Sequence, residues 1–259
     1  MIWRLLPTGS GKLIGEERDI ESKSVSFFCI NQFTGEVLWE RRAFGPQWWI
    51  GIEAVHREML YLHGFATPEL PGHKMVIGVD ILTGTRSWSS DELKFILAAD
   101  DLVFASKDAA EGELLFELNY RTGAILRLWG NNHQVVKEAR AKMADETGVR
   151  TEFPVTLGSV TRSLYAGVLP ANDLTAQIEG IDHDEHVVLN FHERTPRSTP
   201  EETRMDNVLV IVNKKKNNIV FRDVLNAGVA AIVPESFFIQ EGMLYYIKNR
   251  KSLHGIRLQ

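Results

Sequence analysis

Residues 75–88, MVIGVDILTGTRSW, decide how the rest of the chain is interpreted. Ile77 and Val79 alternate with their neighbours up to Asp80, then Thr83-Gly84 follows, and a second short segment ends at Trp88. A period of two is typical of a strand with one buried face, and glycine supplies the positive φ of a tight turn. This stretch therefore predicts a β-hairpin that turns at Gly84.

The same pattern recurs with turn glycines at Gly35 and Gly123. An Asn or Asp precedes each glycine by four residues and a Thr directly precedes it. The Asn or Asp side chain can bond to backbone groups of such a turn. Trp39 and Trp88 follow their glycines by four residues, and in the third copy Trp129 follows by six. An indole ring at this position is large enough to fill the space between stacked sheets.

A degraded fourth copy covers residues 208–221, VLVIVNKKKNNIVF, with Asn217 in the place of glycine and Phe221 in the place of tryptophan. Asparagine is the usual substitute because it tolerates a left-handed backbone. The glycines of the first three copies are 49 and 39 residues apart. Repeats of this length with four short strands are typical of a β-propeller.

The pattern apolar-x-apolar-(Asn/Asp)-x-x-Thr-Gly-x-x-x-Trp resembles the outer hairpin of the quinoprotein-type (pyrroloquinoline-quinone-like) β-propeller repeat. The whole chain also resembles an uncharacterised bacterial propeller-like family. The resemblance implies the fold of a propeller blade but no particular activity, since many members of that repeat class hold no quinone. Quinone-dependent dehydrogenases that resemble this repeat are exported and carry a calcium site and cysteine features that this sequence lacks. We therefore expect no cofactor.

A second type of hairpin supplies the other two strands of each blade. Its copies are residues 48–65, 95–107, 178–191 and 237–248, and no clear copy precedes the first outer hairpin, where residues 12–19 are interpreted as a poorly patterned exposed strand. We predict that residues 1–259 form one all-β domain, a single β-propeller of five blades. Six blades is the alternative if residues 130–175 hold four further strands.

Two features modify this regular ring. Asn132 can cap a helix over residues 133–147, with Gly148 as its stop, so a helical insertion is predicted near 132–148 within an irregular segment of about 130–175. At the C-terminus, residues 253–259 match the first strand of an outer hairpin, and the sequence ends where its partner should follow. We predict that Trp3 and its neighbours supply that partner and close the ring.

Composition narrows the function classes. The chain has 29 Lys and Arg against 34 Asp and Glu, a net charge of −5, which does not favour a nucleic-acid partner. No apolar run has the length of a signal peptide or a membrane span, so a cytoplasmic protein is expected. We also expect a monomer. The single cysteine, Cys29, excludes an internal disulfide and is interpreted as a small strand residue.

The strongest local cluster of potential metal ligands is residues 182–186, Asp-His-Asp-Glu-His. Imidazole and carboxylate groups together suit zinc or another divalent ion. The candidate ligands are His183, His186, Asp182 and Asp184. The competing interpretation is a solvated turn, because charged side chains are common at turns and neighbours along a strand point to opposite faces.

Candidates for ligand binding are Trp48, Trp49 and His56. The two tryptophans open a strand and can form either a binding platform or part of the core, and His56 lies at a predicted turn. His63 and His73 flank residues 64–72, GFATPELPG, which we interpret as an ordinary connection between strands. Residues 149–173 and 193–206 are expected to be mobile loops.

No catalytic residue is assigned from the sequence. It has neither a P-loop nor a Gly-x-Ser-x-Gly motif. Several carboxylates lie in or near the predicted inner hairpins, mostly beside turns: Glu53, Asp100, Asp101, Glu179 and Glu241. We expect a non-catalytic binding or scaffold protein that uses one face of the ring for a protein or small-ligand partner. The alternative is a hydrolase with a metal or carboxylate site at the channel mouth.

Overall fold

The computed structural model describes residues 1–45, 48–67, 70–110, 112–143, 151–158, 163–169, 177–195, 198 and 203–258. Within these residues the chain forms 21 strands and one ten-residue helix, which confirms the all-β prediction. None of the described helical residues forms a helix long and apolar enough to cross a bilayer. The chain divides into two compact units, Met1–Val149 and Arg150–Gln259.

The first unit contains three four-stranded antiparallel sheets, each built from strands that are consecutive in the chain. The first sheet is β1 (Ile2–Pro7), β2 (Lys12–Asp19), β3 (Ser24–Asn31) and β4 (Val37–Arg42). The second is β5 (Ile50–His56), β6 (Met59–Thr67), β7 (Leu70–Asp80) and β8 (Thr85–Ser90). The third is β9 (Lys94–Ala99), β10 (Leu102–Ala109), β11 (Gly112–Asn119) and β12 (Ile125–Gly130), and α1 (Gln134–Met143) follows it.

The second unit contains two more antiparallel sheets. Its strands are β13 (Thr151–Glu152), β14 (Val155–Thr156), β15 (Glu179–His183), β16 (His186–Arg194), β17 (Met205–Asn213), β18 (Asn218–Val229), β19 (Phe237–Gln240), β20 (Met243–Lys248) and β21 (Ser252–Arg257). β14 to β18 form a five-stranded sheet in chain order, and β13 pairs with β19 in the sheet β13-β19-β20-β21. The described residues thus form five sheets, whereas the blade count and the single-domain arrangement remain predictions.

The prediction that the N-terminal strand closes the last sheet is wrong. β1 pairs with β2, with Leu6 opposite Ile14, and β21 pairs with β20 at the edge of its own sheet. Residues 2–19 are therefore the inner hairpin of the first sheet, which the sequence pattern did not reveal. The residues from Leu13 to Glu16 are all buried, so β2 is buried on both faces and shows no alternation.

The predicted helix is confirmed over Gln134–Met143. Asn132 Oδ1 accepts a hydrogen bond from the backbone N–H of Gln134 at 3.2 Å, as an N-cap does. Val136 and Ala139 are buried against the third sheet. The predicted stop at Gly148 lies outside the described residues, as do parts of the loops that the sequence predicts to be mobile.

The Thr-Gly turns have the predicted geometry. Gly35, Gly84 and Gly123 have φ of +73°, +63° and +67°, and Asn217 has +47°. In the first of these turns, Asn31 Oδ1 accepts hydrogen bonds from two backbone N–H groups of the turn, at 2.9 and 3.1 Å. The Asx side chain and the left-handed residue therefore fix each turn together.

In the first unit, the repeated tryptophan of one sheet contacts the glycine turn of the next sheet. Trp39 Nε1 donates a hydrogen bond to Ile81 O at 2.7 Å, and Trp88 Nε1 donates one to Tyr120 O at 3.1 Å. Each acceptor lies three residues before the turn glycine of the following sheet. A Cβ at Gly84 would lie 2.7 Å from the Trp39 ring, so each indole lies against the next turn.

Candidate functional site

The metal ligands predicted from residues 182–186 lie at the turn of the β15–β16 hairpin. His183 and His186 are the last pair of the hairpin, and Asp184 has the turn φ of +45°. His183 Nδ1 lies 3.3 Å from Glu152 Oε1, and its Nε2 lies 3.6 Å from Asp184 Oδ2. Metal binding at His183, His186, Asp182 and Asp184 remains a prediction.

Lysines of the β17–β18 turn form ion pairs with acidic side chains of residues 182–186. Lys214 Nζ lies 2.5 Å from Asp182 Oδ1, and Lys215 forms an ion pair with Glu185. The run of lysines and the run of acids in the sequence are therefore neighbours. Ion pairing between exposed turns explains both runs without a ligand.

The three candidates for ligand binding have different surroundings. The Trp48 ring lies 5.1 Å from Arg18 Cζ and is half-buried against the core. His56 Nε2 lies 2.7 Å from Asp100 O, so His56 connects two turns of successive sheets. Trp49 is 36% exposed, and its ring lies edge-on to Phe65 at 6.5 Å. Ligand binding by these three residues remains a prediction.

A different group brings metal-ligating atoms together in the second sheet. Glu53 Oε2 lies 2.7 Å from His63 Nδ1 and 3.0 Å from His73 Nδ1. One ligand atom from each residue lies within 4.8 Å of the other two. The three residues belong to β5, β6 and β7, which are neighbours in one sheet. We call them the Glu53–His63–His73 cluster.

An extended hairpin places the two histidines side by side. β6 continues to Thr67 and β7 begins at Leu70, with these two residues opposite each other and Phe65 opposite His73. The interpretation of residues 64–72 as an ordinary connection is therefore wrong. β5 pairs with β6 only as far as Gly64, and β8 pairs with β7 only from Val76. Beyond these points the hairpin has no lateral strand among the described residues, so it tolerates proline and glycine.

Two irregularities in strand pairing direct the side chains of Glu53 and the two histidines toward one another. The β5–β6 register shifts between Ile52 and Ala54, which leaves Glu53 as an extra residue. The β6–β7 register shifts between His63 and Gly64, and the intervening Met75 has a left-handed φ of +81°. Bulges re-aim side chains and are common next to active sites. A positive φ at a residue as bulky as methionine also indicates a constrained backbone at this place.

Aromatic rings enclose one side of the cluster. The rings of His63 and His73 stack with their centroids 3.8 Å apart and their planes within 5°. Phe65 lies edge-on to both, at 4.9 Å from His63 and 5.5 Å from His73. The His63 side chain is only 9% exposed, whereas that of His73 is 39% exposed. One end of the cluster is thus buried and the other end faces solvent.

The pKa shifts of Glu53 and His73 both favour the deprotonated forms of these two side chains. Burial alone raises the pKa of Glu53, but contact with His63 and the charges of His63, His73 and Arg4 outweigh it, so this pKa lies below its ordinary value. Burial, followed by the neighbouring His63, lowers the pKa of His73 despite the nearby Glu53. Metal binding requires these deprotonated forms.

Hydrogen bonding is incomplete at the buried end of the cluster. Glu53 Oε2 and His63 Nδ1 are both buried, and neither has a well-directed hydrogen bond although they lie 2.7 Å apart. A cation between these atoms would satisfy both of them.

Two imidazole nitrogens and one carboxylate oxygen form a ligand set suited to zinc and related ions. Bonds of about 2.0–2.1 Å in a tetrahedral site place ligand atoms about 3.3–3.4 Å apart. The Glu53 contacts of 2.7 and 3.0 Å would therefore open by a few tenths of an ångström when an ion binds. At least one imidazole ring would also have to rotate, because the lone pair of Nδ1 lies in the ring plane and the two stacked planes, within 5° of parallel, do not meet at one ion. Among the residues that the structure describes, no other group of three His, Cys, Asp or Glu side chains comes this close together.

A family model for a domain of unknown function, DUF4905, matches residues 6–88, which include the whole cluster. No curated protein matches the chain. Among solved structures, a eukaryotic initiation factor is similar with a TM-score of 0.38 and 8% identity, over 86% of this chain and 55% of that one. The β-propeller domain of the Trilobed protease from Pyrococcus furiosus has a TM-score of 0.31 and 9% identity, over 98% of this chain and 70% of that one.

A third similar structure, Hsv2 from Kluyveromyces lactis, has a TM-score of 0.28 and 8% identity, over 95% of this chain and 71% of its own. The chain spans just over half the length of the initiation factor, 55%. Similarities at these TM-scores establish neither an activity nor a partner.

Proposed function

We propose that this protein binds one divalent transition-metal ion, with Zn²⁺ as the reference ion, at the Glu53–His63–His73 cluster. The observation that supports it is the convergence of three ligand atoms from three strands, with Glu53 Oε2 at 2.7 and 3.0 Å from the two Nδ1 atoms. Both register shifts contribute to that convergence, because they turn side chains that regular pairing would direct elsewhere.

The proposal retains the binding protein predicted from the sequence and gives it a specific ligand. It also retains the five-bladed β-propeller, in which each sheet is one blade and the second blade carries the metal. A monomeric cytoplasmic protein without a nucleic-acid or membrane partner remains part of the same proposal. A non-catalytic role is no longer favoured over the hydrolase alternative, because three ligands leave a coordination position open.

Calorimetric titration of chelator-treated protein with Zn²⁺ tests the proposal. We expect one ion per chain and, for Glu53→Gln and His73→Ala, a rise in Kd of at least about 100-fold, the upper range for loss of an outer-shell contact. His73 is the preferred position because its side chain is 39% exposed, so its removal leaves the core intact. His133→Ala is the matched control, since His133 is an exposed histidine outside the cluster.

The same titration distinguishes this site from the one predicted at residues 182–186. If His183→Ala abolishes Zn²⁺ binding and His73→Ala does not, the proposal is wrong and the sequence-based site is the metal site. Failure of the wild-type protein to bind Zn²⁺, Co²⁺ or Mn²⁺ also overturns the proposal. Circular dichroism of each variant checks that a lost site does not reflect a lost fold.

A further inference from the structure

The cluster offers three protein ligands and an open side. Structural zinc sites are closed by four protein ligands, whereas catalytic sites have three and a water molecule in the fourth position. The metal-ligating group found among the described residues has three members, and the side chains of His73 and Glu53 are 39% and 22% exposed. Solvent can therefore reach an ion held here, and water would take the fourth position.

A water molecule on such an ion is a nucleophile near neutral pH. Zinc lowers the pKa of its bound water to about 7 and polarises a carbonyl that approaches it. The resulting hydroxide attacks the carbonyl carbon of an ester, forming one C–O bond. The C–O bond to the alcohol then breaks, the departing oxygen takes up a proton, and the acid is left. One water molecule is consumed and nothing is oxidised or reduced.

The wall beside the open side is aromatic. Phe65 lies edge-on to both histidines, and Trp49 lies edge-on to Phe65 at 6.5 Å. Trp49 is 36% exposed, so its ring is accessible. Ligand sites are lined mainly by apolar and aromatic side chains that accept the apolar part of the ligand. An aromatic substituent suits this wall.

Glu53 and the bound hydroxide together neutralise the two charges of a divalent ion, so Arg4 supplies the positive charge beside the cluster. Arg4 is exposed, and its Nη1 donates a hydrogen bond at 2.5 Å to the carbonyl of Ile52, next to Glu53. The neighbouring Arg18 adds little, since its Nε lies 2.6 Å from the carboxylate of Glu16. A negatively charged substrate is favoured at such a site.

We propose that the metal-loaded cluster hydrolyses carboxylic esters that carry an aromatic group and a negative charge. This activity rests on the proposed metal binding. Glu53, His63 and His73 hold the ion that activates water, Trp49 and Phe65 receive the aromatic group, and Arg4 attracts the negative charge.

Release of the phenol product by the Zn²⁺-loaded full chain measures the activity. The two substrates are 4-acetoxybenzoate, which is anionic, and its methyl ester, methyl 4-acetoxybenzoate, which is neutral; the para carboxylate cannot reach its own acetyl ester. We expect hydrolysis that falls to the buffer rate after chelation and in His73→Ala, and that is unchanged in His133→Ala. We expect kcat/KM to be about tenfold higher for the anionic ester, the ratio expected from about 1.4 kcal/mol of charge attraction, and Arg4→Gln to remove that preference.

The possible outcomes distinguish the inferred ester hydrolysis from the proposed metal binding. Zn²⁺ binding with wild-type affinity but no hydrolysis above the rate of buffer with equal free Zn²⁺ overturns the inferred activity and leaves metal binding in place. Absence of Zn²⁺ binding overturns both. Hydrolysis that persists in chelated protein or in His73→Ala also overturns the inference, because exposed lysines or histidines would then be the nucleophiles. Equal kcat/KM for the two esters overturns the assignment of charge selectivity to Arg4.

Discussion

Gly84 has two separate reasons to be glycine, and the chain supplies a control that has only one of them. Its φ is +63°, and a Cβ there would lie 2.7 Å from the Trp39 ring. Gly35 occupies the equivalent turn with φ +73°, but a Cβ there would meet nothing within 4 Å. The pair separates the cost of backbone conformation from the cost of overlap.

We expect Gly35→Ala to lower the free energy of unfolding by about 1–2 kcal/mol, the cost of a left-handed alanine. Gly84→Ala should lower it by about 2–5 kcal/mol, because overpacking against a buried indole adds about 1–3 kcal/mol. Urea denaturation followed by tryptophan fluorescence measures both. Equal losses for the two variants would contradict the contact between Trp39 and the turn.

The His192 side chain should contribute to the pH dependence of the free energy of unfolding. Its Nε2 accepts a hydrogen bond from the backbone N–H of Val233 at 3.0 Å, so the ring is neutral in the fold. Burial lowers the pKa of His192, so the unfolded chain takes up a proton there at higher pH than the folded chain does. Its contribution to stability is therefore present above about pH 6.5, the ordinary histidine value, and is lost as the pH falls below it.

We expect the free energy of unfolding to fall between pH 7.5 and pH 5, and to fall less steeply in His192→Gln. Glutamine offers an amide oxygen to the same N–H but does not titrate. Burial raises the pKa of Glu179, which acts in the opposite direction, so the difference between wild type and variant isolates the histidine. Parallel curves for the two proteins would show that His192 does not titrate on unfolding.

At the level of elements, the β6–β7 hairpin is the part of the first unit that metal binding should change most. Its extension beyond Gly64 and Val76 has no neighbouring strand among the described residues, so its hydrogen bonds have little lateral support. An ion held by β5, β6 and β7 would connect this extension to the sheet.

Hydrogen–deuterium exchange tests that connection. Addition of Zn²⁺ should slow exchange in peptides that cover β6 and β7, and should leave β10 and β11 of the next sheet unchanged. Glu53→Gln should remove the effect. Slower exchange spread evenly over both sheets would instead indicate a general stabilisation. It would contradict the expectation that the ion connects only the β6–β7 extension to its sheet.

The elements that the sequence predicts well are those whose information is local. The Gly84 hairpin is predictable because an Asx residue, a Thr-Gly turn and an alternating strand occur within fourteen residues. The prediction of an exposed strand over residues 12–19 is wrong because Leu13 to Glu16 are buried, including a glutamate held by Arg18. The prediction that β1 joins the last sheet is wrong because the pairing partner of a short strand is not encoded in its own pattern.

The candidate site was missed for a related reason. His63 and His73 are ten residues apart around a segment rich in Pro and Gly, which is typical of a loop. Their approach to Glu53 depends on one extra residue in β5 and another in β7, and a shift of register by one residue reverses which side chains share a face. Nothing in the local sequence marks either irregularity.

At the scale of the whole molecule, the repeat is strict in the first two sheets and relaxed in the rest of the chain. Trp39 and Trp88 contact the next turn through an indole N–H, whereas Phe221 takes that position in β18 and lies 6.4 Å from the ring of Tyr246. The family match ends at residue 88, within the strict part. The metal cluster lies in that part as well.

The central claim is that Glu53, His63 and His73 hold one metal ion. Anomalous diffraction at the zinc edge from crystals of the Zn²⁺-loaded protein tests it most directly. We expect one peak between the three side chains, about 2.0–2.2 Å from both Nδ1 atoms and the Glu53 carboxylate, with a water molecule completing the coordination. A peak at His183 and His186, or no peak within bonding distance of His63 and His73, would contradict it.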